Sequence, residues 1–215
     1  MKKIKSKKKK PVAMVFGAHP DDIEIGMGGT VAKLVKMGYE MNLVIANTDS
    51  SGTMVSEREL EATRGAKILG CSTPEFLNLQ PGEFMFNRTL VSRLDKLIGT
   101  HEPDVIFTQW IGDSHQDHQI LTRCVLAASR RINNVLMYET TIPSLITDIT
   151  FEPRLYVDIS STIDMKKKAL QCHQTQIKRY GNLWVRAVIS RSAFRGFQIR
   201  AAYAEVFDVT KLLHW

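Results

Sequence analysis

Residues 11–22 read "PVAMVFGAHPDD", an apolar run of strand formers that ends in an imidazole, a proline and two adjacent carboxylates. A short apolar run bounded by such a loop reads as a buried strand, the kind that lines a parallel sheet. The next stretch, "GGTVAKLVKMG" (28–38), has Val31, Leu34 and Val35 at helical spacing and Gly38 as a stop. Strand, charged loop and helix in that order begin an α/β fold.

The same alternation continues along the chain. "MNLVIAN" (41–47) is a second strand, and Ser56 with Glu59 forms a capping-box pattern for a helix that ends at Gly70. "EFLNL" (75–79) is a third strand, followed by a helix from about Asn87 to Ile98. "DVIFTQ" (104–109) is a fourth, and "WIGDSHQDHQ" leads into a helix over roughly 118–131. "NVLMYE" (134–139) and "RLYVDI" (154–159) are a fifth and a sixth. Ser161 and Asp164 are expected to cap a helix of about 162–180, and "AYAEVFDV" (202–209) reads as a final strand.

The expected fold class is α/β: a Rossmann-like three-layer sandwich with a mostly parallel sheet, strand order 3-2-1-4-5 plus extra C-terminal strands. In that order strands one and four are neighbours whose helices go to opposite faces, so the loops after them meet. One loop carries His19, Asp21 and Asp22; the other carries His115, Asp117 and His118.

Charge narrows the function classes. The formal net charge is +7, but "MKKIKSKKKK" (1–10) holds seven lysines and no acid, and the remainder is formally neutral. Residues 1–10 read as a disordered lysine-rich tail capable of weak anionic contact, and 11–215 as one domain. No apolar run is long enough for a membrane span. Three dispersed cysteines (Cys71, Cys124, Cys172) without a C-x-x-C pair point to a cytoplasmic setting.

The two loops carry the chemistry. His19 and Asp22 are three residues apart and His118 would join them across the strand gap: two imidazoles and a carboxylate, a donor set for zinc. The same set suits non-haem iron, so the metal stays open between Zn2+, Fe2+ and another divalent ion. Asp21 is left over as a base for water, and His115, oriented by Asp117, could stabilise an oxyanion or protonate a leaving group. That is a hydrolase set. A nucleotide-binding oxidoreductase on this scaffold would need G-x-G-x-x-G after the first strand; "GAHPDD" would repel phosphate. "GMGG" (26–29) reads as close helix packing.

"AHPDDIEIGMGGT" followed about 90 residues later by "DSHQDHQ" resembles the LmbE-like (PIG-L) family of zinc-dependent N-acetylglucosaminyl deacetylases. "SERELEATRGAKILG", "KKKALQCHQTQ" and "AEVF" resemble its later segments, with Thr175 where serine is frequent. The resemblance implies zinc on His19, Asp22 and His118, Asp21 as general base, His115 with Asp117 assisting the tetrahedral intermediate, and Arg58 binding substrate. It implies an N-acetylated amino-sugar substrate and a homo-oligomer, with another metal-dependent amidase as the alternative. His173 is expected to make a structural hydrogen bond. Substrate selectivity is expected in loops 48–55, 80–87 and 141–153.

Overall fold

The computed structural model describes residues 10–47, 56–80, 83–140 and 149–213. Its strands are β1 (Val12–Gly17), β2 (Glu40–Ile45), β3 (Glu75–Phe76), β4 (Val105–Gln109), β5 (Asn134–Tyr138), β6 (Leu155–Asp158) and β7 (Ala204–Leu212). The helices are α1 (Asp22–Lys36), α2 (Glu57–Leu69), α3 (Arg88–His101), α4 (Gln116–Ala128), α5 (Ile163–Leu170), α6 (Gln174–Tyr180) and α7 (Leu183–Phe197). All but residue 10 of the lysine tail lies outside the described residues, as do 48–55, 81–82 and 141–148 of the loops expected to set selectivity.

The strands form one sheet of order β3-β2-β1-β4-β5-β7-β6. The first five are parallel, and β7 runs antiparallel between β5 and β6. This is the expected α/β order with two added strands. Both faces are covered, as a parallel sheet requires. Ala13 and Val15 of β1 pack toward α1, α2 and α5, while Met14 and Phe16 pack toward α3 and α4.

Local chemistry accounts for several helix ends. Ser56 accepts the Glu59 N–H at the start of α2, Asn87 accepts the Leu90 N–H at the start of α3, and Gly70 closes α2 in the left-handed region. The third strand is shorter than expected because Asn78 turns to φ 49°; Leu77 and Leu79 still donate to Ile45 and Ala46 of the second strand's end.

Three elements differ from the sequence reading. First, α1 starts at Asp22, with a break at Met27 (φ −147°) between two helical halves. Second, the helix expected over 162–180 is two helices, parted at Cys172–His173; its N-cap is Thr162 rather than the Ser161–Asp164 pair, and the Thr162 hydroxyl bonds the Gly29 carbonyl instead of capping. Third, α7 occupies the stretch that periodicity left unassigned. Its outward face carries exposed Leu183, Phe194 and Phe197, which blur the apolar stripe.

The break in α1 is held by long-range contacts. Gly26 and Gly29 leave no room for a side chain: a Cβ on Gly26 would lie 2.1 Å from the Tyr138 ring and one on Gly29 2.7 Å from Ile159. The close-packing reading of "GMGG" holds. The backbone groups freed at the break find charged partners. Ile25 O accepts from Lys166 Nζ (2.9 Å) and Arg191 (2.8 Å), and Gly29 N and Thr30 N donate to the Glu205 carboxylate at 2.9 and 2.6 Å. Lys166 and Glu205 pair directly. This clasp fixes the first half of α1, which carries the charged residues at the sheet edge.

Candidate active site

The carboxyl ends of β1 and β4 are adjacent, so the loops after them converge. From the first, His19 N donates to Asp22 Oδ2 at 2.7 Å, folding the H-P-D-D turn so that His19 and Asp22 face the same way. From the second, His115 is the N-cap of α4, and Asp117 and His118 lie in its first turn. Gln109, the last residue of β4, donates to Asp22 Oδ2 at 2.8 Å and ties the two loops together.

His118 Nε2 lies 3.2 Å from Asp22 Oδ1, and His19 Nδ1 lies 3.5 Å from Asp22 Oδ2. One donor atom from each of His19, Asp22 and His118 falls within 4.8 Å of the others. Tetrahedral zinc with bonds of about 2.0–2.1 Å needs donors roughly 3.3 Å apart, so a small inward movement of His19 would complete three corners. The donor set, two neutral nitrogens and one carboxylate oxygen, fits a catalytic divalent ion with an open position. His19, His115 and Asp117 form a second, more exposed group of the same size.

A supporting layer orients these groups. Asp113 Oδ2 lies 3.1 Å from His118 Nδ1, which turns Nε2 toward Asp22. Asp113 also accepts the His115 N–H (2.9 Å) and the Thr140 hydroxyl. A carboxylate behind a ligating histidine is the usual way to fix the ring and raise its basicity.

Asp117 sits differently from its expected place behind His115. Its Oδ2 is 3.2 Å from His19 Nε2 and 3.9 Å from His115 Nδ1. His115 Nδ1 instead accepts the backbone N–H of Asp117 at 3.1 Å, which assigns the ring proton to Nε2.

Electrostatics follow from this packing. Burial alone would lower the His19 pKa, but hydrogen bonds to Asp117 and Asp22 overcome it and raise it to about 9. For His118 burial is likewise outweighed, by Asp22 and Asp113, and the value rises to about 10. Burial would raise Asp22, yet His118 and His19 hold it well below the usual carboxylate range. His115 is lowered, by burial and then by the neighbouring rings. The cluster thus binds protons where a cation would sit, and a divalent ion would displace them.

Asp21 makes no cap bond to α1; its Oδ1 lies 3.3 Å from the Arg58 guanidinium. All seven residues picked from the sequence (His19, Asp21, Asp22, Arg58, His115, Asp117 and His118) line one cavity of about 290 Å3. The opposite wall is the α6–α7 corner, with Gln176, Tyr180 and Trp184. Sequence reasoning missed that wall, and it missed Asp113 and Gln109. A polar residue ending an apolar strand was the available signal for Gln109.

The later segments also have a place. Glu61 of α2 accepts both the backbone N–H (2.8 Å) and the hydroxyl (2.6 Å) of Thr175, and buried His173 lies 3.5 Å from Glu24 of α1, an ion-pair distance beyond a good hydrogen bond. These contacts seat α6 against α1 and α2.

The model of the PIG-L (GlcNAc-PI de-N-acetylase) family matches residues 14–129. The chain is 32% identical over 180 residues to the uncharacterized deacetylase YaiS of Escherichia coli (strain K12), covering 80% of this chain and 95% of the relative. It is 26% identical over 209 residues to the diacetylchitobiose deacetylase of Thermococcus kodakarensis, covering 87% and 78%. Among solved structures, the conserved protein TT1542 from Thermus thermophilus shares the fold, with a TM-score of 0.80, 24% identity and coverage of 96% and 97%.

Proposed function

The chain belongs to the PIG-L family of de-N-acetylases and is a hydrolase of amide bonds, and from that premise we propose that it removes the acetyl group from an N-acetylated amino sugar in the cavity between β1, β4 and the α6–α7 corner. Residues 11–215 would act as one deacetylase domain. The observation that carries this reading is the meeting of a two-nitrogen, one-carboxylate donor set with a spare carboxylate, a spare imidazole and an arginine in one cavity. The three cysteines are free, which suits the reducing environment of a cytoplasmic protein. No helix among the described residues is long and apolar enough to cross a membrane.

His19, Asp22 and His118 would hold the metal, zinc in this reading. Bound there, it would supply a Lewis acid for the acetyl carbonyl and lower the pKa of water. Asp21 would accept the proton of the attacking water, its position set by Arg58. His115 presents Nε2–H and would donate it to the developing oxyanion. As the C–N bond breaks, the proton collected by Asp21 goes to the departing nitrogen, leaving acetate and a free amine. Arg58 and the α6–α7 wall would hold the rest of the substrate.

The test is release of free amine from a panel of N-acetylglucosaminyl conjugates. Chelation should abolish release and added Zn2+ should restore it. Asp21→Asn should lower kcat by about 10^2 to 10^4, the usual size of a general-base contribution, while keeping its zinc. No amine from any N-acetylated amino sugar with metal-loaded protein would overturn the reading.

A further inference from the structure

Gln176 stands out among the polar residues of the cavity. It is 8% exposed, yet among the described residues its side-chain amide has no hydrogen-bond partner. The fully buried unpartnered atoms Thr30 Oγ1 and Asn42 Nδ2 lie away from this cavity. The Gln176 side chain instead lines the cavity that holds the carboxylate–imidazole cluster. A nearly buried amide is normally paired, and one that is not marks a place for water or a ligand.

The backbone around Gln176 is fixed. Thr175, one residue before it, is bonded twice to Glu61 of α2. The Gln176 N–H donates to His173 O at 3.1 Å, and His173 is paired to Glu24 of α1. The amide is therefore presented from a wall docked on two helices, the kind of support that a specificity contact needs. Tyr180 and the buried Trp184 share this wall. A primary amide offers two donors and an acceptor, which matches a hydroxyl that both donates and accepts. Aromatic side chains offer the apolar surface that the C–H face of a sugar ring requires.

We propose that Gln176 reads a ring hydroxyl of the N-acetylated sugar, with Tyr180 and Trp184 packed against the ring, so that the α6–α7 corner selects a pyranose over a plain acetamide. This rests on the de-N-acetylation proposed above and adds what the far wall recognises. The cavity of about 290 Å3 is at the small end of ligand sites, roughly 300–1,000 Å3, and suits one ring with its acetamide.

The test compares wild type with Gln176→Met, similar in length but without the amide's donors and acceptor, and with Gln176→Glu, which keeps the acceptor and loses the donors. Metal-loaded enzyme is assayed on methyl N-acetyl-β-glucosaminide and on N-acetylcyclohexylamine, which has no hydroxyls. Gln176→Met should lose about tenfold in kcat/KM on the sugar, mainly through KM, the size of one neutral hydrogen bond. It should lose nothing on the carbocycle, and Gln176→Glu should recover part of the loss. Wild type should lose a similar factor with one member of a 3-, 4- and 6-deoxy series. Equal effects of Gln176→Met on both substrates, or no loss with any deoxy sugar, would overturn the proposal. Calorimetric binding of the methyl glycoside separates the two ideas. Gln176-dependent binding without turnover would sink the reaction and leave the sugar wall standing; absent or Gln176-independent binding would sink the wall.

Discussion

Charged side chains gather at two buried places, and the two are built on opposite terms. Behind the break in α1, Lys166, Arg191 and Glu205 each end on a fixed partner: Ile25 O takes both cations, and the two Glu205 oxygens take Gly29 N and Thr30 N. Lys166 is 0% exposed, and burial lowers its pKa against the pull of Glu205. At the front edge, Asp22, Asp113 and Asp117 face His19, His115 and His118, Asp21 faces Arg58, and several of their atoms look into a cavity. Buried charge by itself therefore marks nothing. The closed cluster holds backbone; the open one keeps donors and acceptors for something that enters.

Breaking the closed cluster should have the largest effect on stability. Lys166→Met leaves buried Glu205 without its directly paired cation and removes one of the two bonds to Ile25 O. Removing one partner of a buried pair costs roughly 3–5 kcal/mol. Urea unfolding should show that loss, and adding Glu205→Gln to Lys166→Met should return part of it. A single-variant cost below about 1 kcal/mol would mean that the glycine packing on Tyr138 and Ile159, rather than the clasp, sets the break.

The open cluster should respond in metal affinity before stability. Asp113→Asn keeps the shape behind His118 but removes the charge that sets the ring's basicity. Loss of such a supporting carboxylate typically weakens metal binding 10- to 100-fold. Competition with a chromophoric chelator reads that change directly. An unchanged zinc affinity would place Asp113 with the closed cluster, as a structural partner of Thr140 and the His115 backbone.

The two clusters were also unequally legible. The front one could be read because its residues fall in two short runs, each just after an apolar strand, and strand order brings those runs together. Asp113 escaped because it lies in the same loop as His115 with no spacing that marks it as a partner of His118. The rear cluster could not be read as chemistry at all. Its bonds join residues 141 and 176 positions apart, and no local period records such a pairing. "AEVF" and the lysine of "KKKALQ" appeared only as family resemblance, and packing around the broken helix supplies their physical reason. The split between α5 and α6 was hidden for a related cause. Residues 162–180 have helical composition throughout, and the turn at His173 is set by contacts with Glu24 and, through Thr175, with Glu61.

His173 and Glu24 stand between the two regimes: closed like the rear cluster, yet seated directly under the cavity wall. Gly65 makes room for them, since a Cβ there would lie 2.5 Å from Glu24 Oε1. Burial lowers the His173 pKa, but Glu24, and behind it Asp21 and Glu61, raise it above its ordinary 6.5. A group whose pKa is raised on folding contributes stability that is fully present below its unfolded pKa, near 6.5, and is lost as pH climbs through the folded value. His173→Gln should therefore cost most near pH 6, where the His173–Glu24 ion pair is intact, and less at each step as pH rises. His19 and His118 are common to both proteins, so their titration cancels in the difference. Paired urea melts from pH 6 to 9 measure it. A gap that stays constant across this range would show that His173 sits neutral beside Glu24, holding α6 by shape alone.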